Sequence, residues 1–282
     1  MSQSSNNPLA KHFRQPALYT KLTSTGKFWT SDALVMPESG EIPIYPMTAK
    51  DEITLRTPDA LINGTSVVEV IESCCPNIKN AWEMPSVDVD STLIAIRIAS
   101  YGQNMSISSK CPHCGGEHDY DVDLTKILSG IEMPNYSQTI KHGELVFRLK
   151  PMSYKQISKS GNTAFEEEKL ISMLADPNID EEVRKKEYDQ HVKKMINLNI
   201  ENVSNCTDSI LLDDGEVVKD PEFIREYYAN AESAVIRKVQ DKIKDFAKVV
   251  GIKPVDTACT DCEKNFKLNI EFDYASFFDQ GF

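Results

Sequence analysis

Residues 110–124 read KCPHCGGEHDYDVDL, and residues 258–272 read ACTDCEKNFKLNIEF. Each stretch opens on a Cys-x-x-Cys pair, Cys111/Cys114 and Cys259/Cys262, and then alternates apolar with polar residues. Every second position after the first pair holds His118, Tyr120, Val122 and Leu124; the matching positions after the second hold Phe266, Leu268, Ile270 and Phe272. Between them stand mostly polar residues, Asp119, Asp121 and Asp123 in one stretch and Lys267, Asn269 and Glu271 in the other. A period of two predicts a half-buried strand behind each pair. NMSISSK, residues 104–110, reads as a further strand leading into the first pair.

A Cys-x-x-Cys turn places two thiolates on one side of a tight loop. Zinc takes four ligands in a tetrahedron, with Zn–S near ~2.3 Å, so one turn supplies half a site and two facing turns complete it. Cys111, Cys114, Cys259 and Cys262 are therefore expected to hold one structural zinc per chain, in a zinc ribbon split by a long insertion. The gap between the pairs far exceeds the usual ~15–20 residues. Other readings are a site completed by His118 or His113, a thioredoxin-like redox pair, and no metal. A redox pair opens a helix after a strand, whereas each pair here opens a strand. His118 falls where the second stretch has Phe266, which suits core packing. A closed four-thiolate site has no position left for water or substrate, so its expected role is to tie distant segments together.

The remaining cysteines, Cys74, Cys75 and Cys206, lack this spacing and read as buried small residues. The formal net charge of −12 argues against sequence-independent nucleic-acid binding, which needs lysine and arginine to displace counterions. A zinc-ribbon nucleic-acid binder is the alternative function on the residues alone. No apolar stretch approaches the ~18–20 residues of a membrane span, so no membrane partner is expected. MSQSSNNPLAKHFRQ at the start is polar, without the apolar run of a secretory signal, which suggests a protein kept in the cytoplasm.

The fold class expected is α+β. Residues 1–30 read as an extended N-terminal arm, flexible or ordering on a partner. Residues 31–103 read as a helical region. Thr48 with Asp51 signals a helix start, as does Thr57-Pro58, with Gly64 as a stop. Val67, Val70, Ile71 and Cys74 share one helical face, and a largely apolar helix runs from about Val89 to Tyr101, stopped by Gly102. Residues 104–130 and 255–282 form the discontinuous ribbon with an aromatic tail. Residues 131–254 form a mostly helical insertion. It carries a hairpin turning at His142-Gly143, a charged helical stretch from Ser153 to about Asn205, a second hairpin around Asp214-Gly215, and a helix starting at Asp220-Pro221. Ile236, Val239, Ile243, Phe246 and Val250 mark a last helix, whose seam suits packing inside its own domain or against another chain.

FDYASFFDQGF, residues 272–282, crowds aromatics at the C-terminal end. They are expected either to pack on the ribbon's own strands or to dock into another subunit, with Tyr274, Phe277, Phe278 and Phe282 as the candidate partner-binding anchors. The chain has no P-loop, GxGxxG, HExxH or GxSxG. No catalytic residue is nominated, and the protein is expected not to be an enzyme.

Three stretches carry a resemblance: IYPMTAKDEITLRTPDALINGTSVVEVIESCCP (residues 44–76), LIAIRIASYG (93–102) leading into CPHCGG (111–116), and CTDCEKNFKLNIEFDYASFF (259–278). In order and spacing they resemble a family of baseplate-associated proteins from T-even-type contractile-tailed bacteriophages. The resemblance implies a structural component of the central baseplate hub, or a factor in its assembly. Expected partners are other tail and baseplate proteins, among them tape measure or hub subunits, with an oligomer inside the baseplate a further expectation. The implied location is the virion tail baseplate, or the host cytoplasm during assembly.

Overall fold

The computed structural model describes residues 7–57, 63–176, 178–270 and 277–278, and its helices and small antiparallel sheets make an α+β protein. Strand β1 (Leu18–Thr20) pairs antiparallel with β2 (Ile42–Ile44). Helix α1 (Ala49–Leu55) opens on a reciprocal cap, in which the Thr48 hydroxyl accepts from Asp51 N–H and the Asp51 carboxylate accepts from Thr48 N–H. Pro58, of the Thr57-Pro58 helix start, lies outside the described residues. Gly64 stands at the N-cap of α2 (Thr65–Cys74), with φ of 78°, and the helix it is expected to stop falls on residues outside the described ones. Val67, Val70, Ile71 and Cys74 all lie on the buried face of α2. Helix α3 (Ser86–Tyr101) is buried from Val87 through Arg97 apart from Asp90, and it ends at Gly102, φ 87°. It is the axis of the first core, which gathers Ile42, Ile71, Leu93 and Ile96.

From Arg14 to Trp29 the N-terminal segment is tied to the body of the protein. The Arg14 guanidinium donates to the carbonyl oxygens of Pro46 (2.6 Å) and Ser73 (2.7 Å) and to Asp51 Oδ2 (3.2 Å). Further along, Ser24 N–H and Trp29 Nε1–H donate to the buried Asp88 carboxylate of α3 at 2.7 and 2.8 Å. Burial pushes the Asp88 carboxyl up, opposed by its hydrogen bonds from Ser24 and Trp29. Leu22 is buried between these anchors. Long-range hydrogen bonds thus replace the apolar pattern that would have betrayed the segment's order.

Beyond α3 comes the hairpin β3 (Asn104–Lys110) and β4 (Glu117–Asp123), then a short helix α4 (Leu124–Gly130) capped by Asp123, whose carboxylate accepts from Thr125 N–H. A second core, built on Phe147, Ile210, Tyr228, Val239 and Phe246, holds the insertion together. Its sheet has the order β5–β6–β7–β8, from Thr139–His142, Leu145–Leu149, Thr207–Leu211 and Val217–Val218. The two hairpins read separately in the sequence therefore join edge to edge through β6 and β7. Between them the charged stretch folds as two helices, α5 (Tyr154–Leu174) and α6 (Glu181–Asn205). Helix α7 (Pro221–Asn230) is capped by Asp220. The seam of α8 (Ser233–Val250) faces the second core, where Val239 and Phe246 are buried. The chain then returns to the first core as the hairpin β9 (Val255–Ala258) and β10 (Asn265–Leu268).

Candidate metal centre

Each Cys-x-x-Cys sits at the tip of a hairpin, and the two tips repeat the same backbone bonds. Cys111 N–H donates to Gly116 O at 2.8 Å, and Gly115 N–H donates to Cys111 O at 2.9 Å. In the second hairpin Cys259 N–H donates to Lys264 O at 3.1 Å, and Glu263 N–H donates to Cys259 O at 3.0 Å. Both tips need one left-handed residue immediately after the second cysteine: Gly115 at φ 75° and Glu263 at φ 57°. The likeness seen in sequence is thus a likeness of backbone.

The tips face one another. Cys111 Sγ lies 3.8 Å from Cys262 Sγ, and Cys114 Sγ lies 3.6 Å from Cys259 Sγ. All four sulfurs fall within 4.8 Å of one another. These separations are far beyond the ~2.05 Å of a disulfide, and all four thiols are free. A tetrahedron with metal–sulfur bonds of ~2.3 Å has edges of ~3.8 Å, so the sulfurs stand where a four-thiolate ion would want them. The four cysteines could therefore hold a metal ion.

Backbone N–H groups are aimed at the sulfurs, as thiolates require. His113 N–H points at Cys111 Sγ from 3.4 Å, and the Gly116 and Lys264 amides serve Cys114 and Cys262 in matching positions. The amides of Cys262 and Asp261 pull the Cys259 thiol down to about 6. For Cys114 the Gly116 amide acts downward, but hydrogen bonds from Cys259 and the other thiols, with burial, outweigh it and push the group up to about 12. The Cys259 thiol is thus lowered, while those of Cys114 and Cys262 are raised. Cys111 and Cys259 are buried, Cys262 is half-buried, and Cys114 is exposed at the rim.

Around the sulfurs the two hairpins clasp. Tyr120 of β4 meets Phe266 of β10 edge-on, with ring centroids 5.4 Å apart. His118 Nε2 stands 2.9 Å from Asp261 Oδ2, an ion-pair distance although off the line of a good hydrogen bond. A Cβ on Gly116 would come within 2.9 Å of both those atoms, so this glycine lets the tips close. His118 therefore faces the opposite tip instead of simply filling core, and His113 is exposed with Nε2 3.3 Å from Asn265 O. Tyr120, Asp261 and Gly116 were missed as site residues in the sequence, where only Gly116, beside a second glycine, carried a signal.

Of the aromatic tail, Tyr274 and Phe282 lie outside the described residues. Phe277 and Phe278 are 2% and 6% exposed and belong to the first core, with the Phe277 ring 5.3 Å from the Arg97 guanidinium carbon. Those two rings are not free surface anchors in this conformation, because α3 already takes them up.

The family model described as T4 bacteriophage base plate protein matches residues 19–279, a span covering both hairpins and the insertion between them. No curated protein and no solved structure matches the chain.

Proposed function

Since the chain belongs to the T4 bacteriophage base plate protein family, we propose that it serves the central hub of the tail baseplate, as a hub component or as a factor in hub assembly. It acts through protein contacts and is not an enzyme. Family membership implies a place in the virion tail, and the host cytoplasm is where the chain would be made and assembled. Its partners are other baseplate proteins, with hub subunits and the tape measure as the candidates.

One structural zinc staples the fold. The observation that carries this is the set of four sulfurs within 4.8 Å, drawn from hairpins about 145 residues apart. An all-sulfur donor set selects soft or borderline ions over magnesium or calcium, and zinc favours this tetrahedral geometry. With four thiolates there is no open coordination position, so the ion would hold the C-terminal hairpin to the first and do no chemistry. Ion binding would then add to folding free energy.

The test is to recover the tagged chain from phage-infected cells and measure its co-purifying proteins and its metal together. Baseplate proteins with about one zinc per chain are expected. A chain that recovers no tail protein overturns the hub reading, and a metal-free chain with an intact fold overturns the zinc staple.

A further inference from the structure

Arg97, on α3, is 4% exposed, and its Nε and Nη1 are both buried without a hydrogen-bond partner. Among the described residues no carboxylate pairs with its guanidinium. The other buried charged side chains among them are all answered. Asp51 takes bonds from Arg14 and Thr48, Asp88 from Ser24 and Trp29, and Glu167 from His191 and Lys194. Against Arg97 stand two rings instead, with the Tyr101 and Phe277 centroids 5.4 and 5.3 Å from its guanidinium carbon. Ring faces offset part of a cation's desolvation, but they bring no oxygen to its N–H donors. The Glu52 carboxylate is taken up at the Tyr101 hydroxyl, 2.9 Å away. A buried cation left unpaired weakens a fold, and an apolar side chain of similar length would serve a core better. Packing alone therefore gives no reason for arginine at this position.

We propose that Arg97 is a docking site for a carboxylate, an aspartate or glutamate side chain that another baseplate protein carries beside an aromatic residue. The inference rests on the reading above that the chain acts through contacts with such proteins, and it names the chemistry of one contact. A guanidinium is planar and presents paired N–H donors that match the two oxygens of a carboxylate. The Phe277 ring, 2% exposed, already fills the aromatic half of this seat, yet it brings no acceptor to Arg97. A partner segment with both a ring and an acid supplies what the chain's own residues leave open. It would take the place of Phe277, so that ring competes with the partner for Arg97. The cost of the unpaired cation in the free chain is then recovered only in the complex.

The experiment uses the full chain, Arg97→Met, which keeps most of the length and loses the charge, and Phe277→Leu, which keeps apolar bulk and loses the ring. The baseplate protein that the wild type recovers from infected cells is titrated against all three, and each is melted alone. Arg97→Met is expected to melt about 2–8 °C higher, because an apolar side chain relieves the desolvation of an unpaired ion. It should bind the baseplate protein at least about 10-fold more weakly, the loss that follows removal of one member of a buried charge pair. Phe277→Leu should bind about 2–5-fold more tightly, since the competing ring is gone. An Arg97→Met protein that melts no higher than wild type already has its charge compensated inside the fold, which overturns the site. Wild-type affinity in Arg97→Met, or weaker binding by Phe277→Leu, overturns it too and leaves the baseplate role standing. A wild-type chain that recovers no baseplate protein overturns both the site and the reading it rests on.

Discussion

The two hairpin tips share a backbone and differ in nearly everything attached to it. Each repeats the same pair of N–H···O bonds around its first cysteine and the same left-handed residue after its second. The first is built on strands of seven residues, with Gly115-Gly116 at the tip and His118 and Tyr120 behind it. The second has strands of four, with Glu263-Lys264 at the tip and Phe266 and Leu268 behind. Four sulfurs in a tetrahedron constrain the backbone of each tip equally. They leave the side chains free to divide the remaining work. The first hairpin supplies polar groups and a glycine tip, and the second supplies apolar side chains, Phe266 and Leu268, that bind it to the first core.

If the two tips are halves of one site, damage to either should look the same. Cys111→Ser and Cys262→Ser, one from each hairpin across a 3.8 Å contact, are each expected to lower zinc affinity by more than about 100-fold, since even outer-shell losses cost about 10–100-fold. Both should also expose the C-terminal hairpin to hydrogen exchange and proteolysis. Equal effects sustain the comparison. A loss confined to one hairpin would mean that its cysteines act alone.

The next effect separates the tips. Gly116 lies against the contact between His118 of its own hairpin and Asp261 of the other, and its counterpart Lys264 already carries a side chain. Gly116→Ala puts a methyl 2.9 Å from two atoms of the cross-hairpin pair. Part of the clash is relieved by rotating the exposed Asp261 carboxylate away, so a loss of about 1–2 kcal/mol is expected, at the low end of overpacking. Lys264→Ala should be nearly silent, with urea titrations of both variants as the measurement. A Gly116→Ala protein as stable as wild type would show that the tips do not close as tightly as their distances indicate.

How much of this was legible in the sequence depended on whether a feature is local. The cap at Thr48, the buried face of α2, the apolar α3 and its stop at Gly102 are written in short-range patterns, and each stands in the structure. The ordering of Arg14 and Ser24 was not, because it rests on partners 32 to 64 residues away and on polar rather than apolar contacts. The joining of the hairpins through β6 and β7 was hidden for the same reason, with two helices between them. Helix α4 was lost to an overlap: Leu124 ends the strand's alternation and begins the helix, and the Asp123 cap that marks the change sits inside the strand pattern. At the four-cysteine cluster the cysteines were plain because the two Cys-x-x-Cys spacings repeat locally. Tyr120 and Asp261 were not, since their relation to the sulfurs exists only after the far hairpin has come home.

The smallest effect bears most directly on why the tips differ. A residue with a Cβ at positive φ carries a strain of about 1–2 kcal/mol relative to glycine. Gly115 at φ 75° avoids it, and Glu263 at φ 57° accepts it. Exchanging the roles should change stability in opposite directions at the two tips. Gly115→Ala is expected to cost about 1 kcal/mol, while Glu263→Gly should return somewhat less, because glycine also loses more backbone entropy on folding. A Cβ at Gly115 meets nothing within 4 Å, so backbone strain is the only cost it adds. Urea titrations of metal-loaded protein read both. If the signs are opposite, the tips are one backbone motif with two degrees of refinement. If Glu263→Gly is destabilising, then the Glu263 side chain contributes something at that tip which outweighs its strain, and the equivalence of the two turns holds for the cysteines alone.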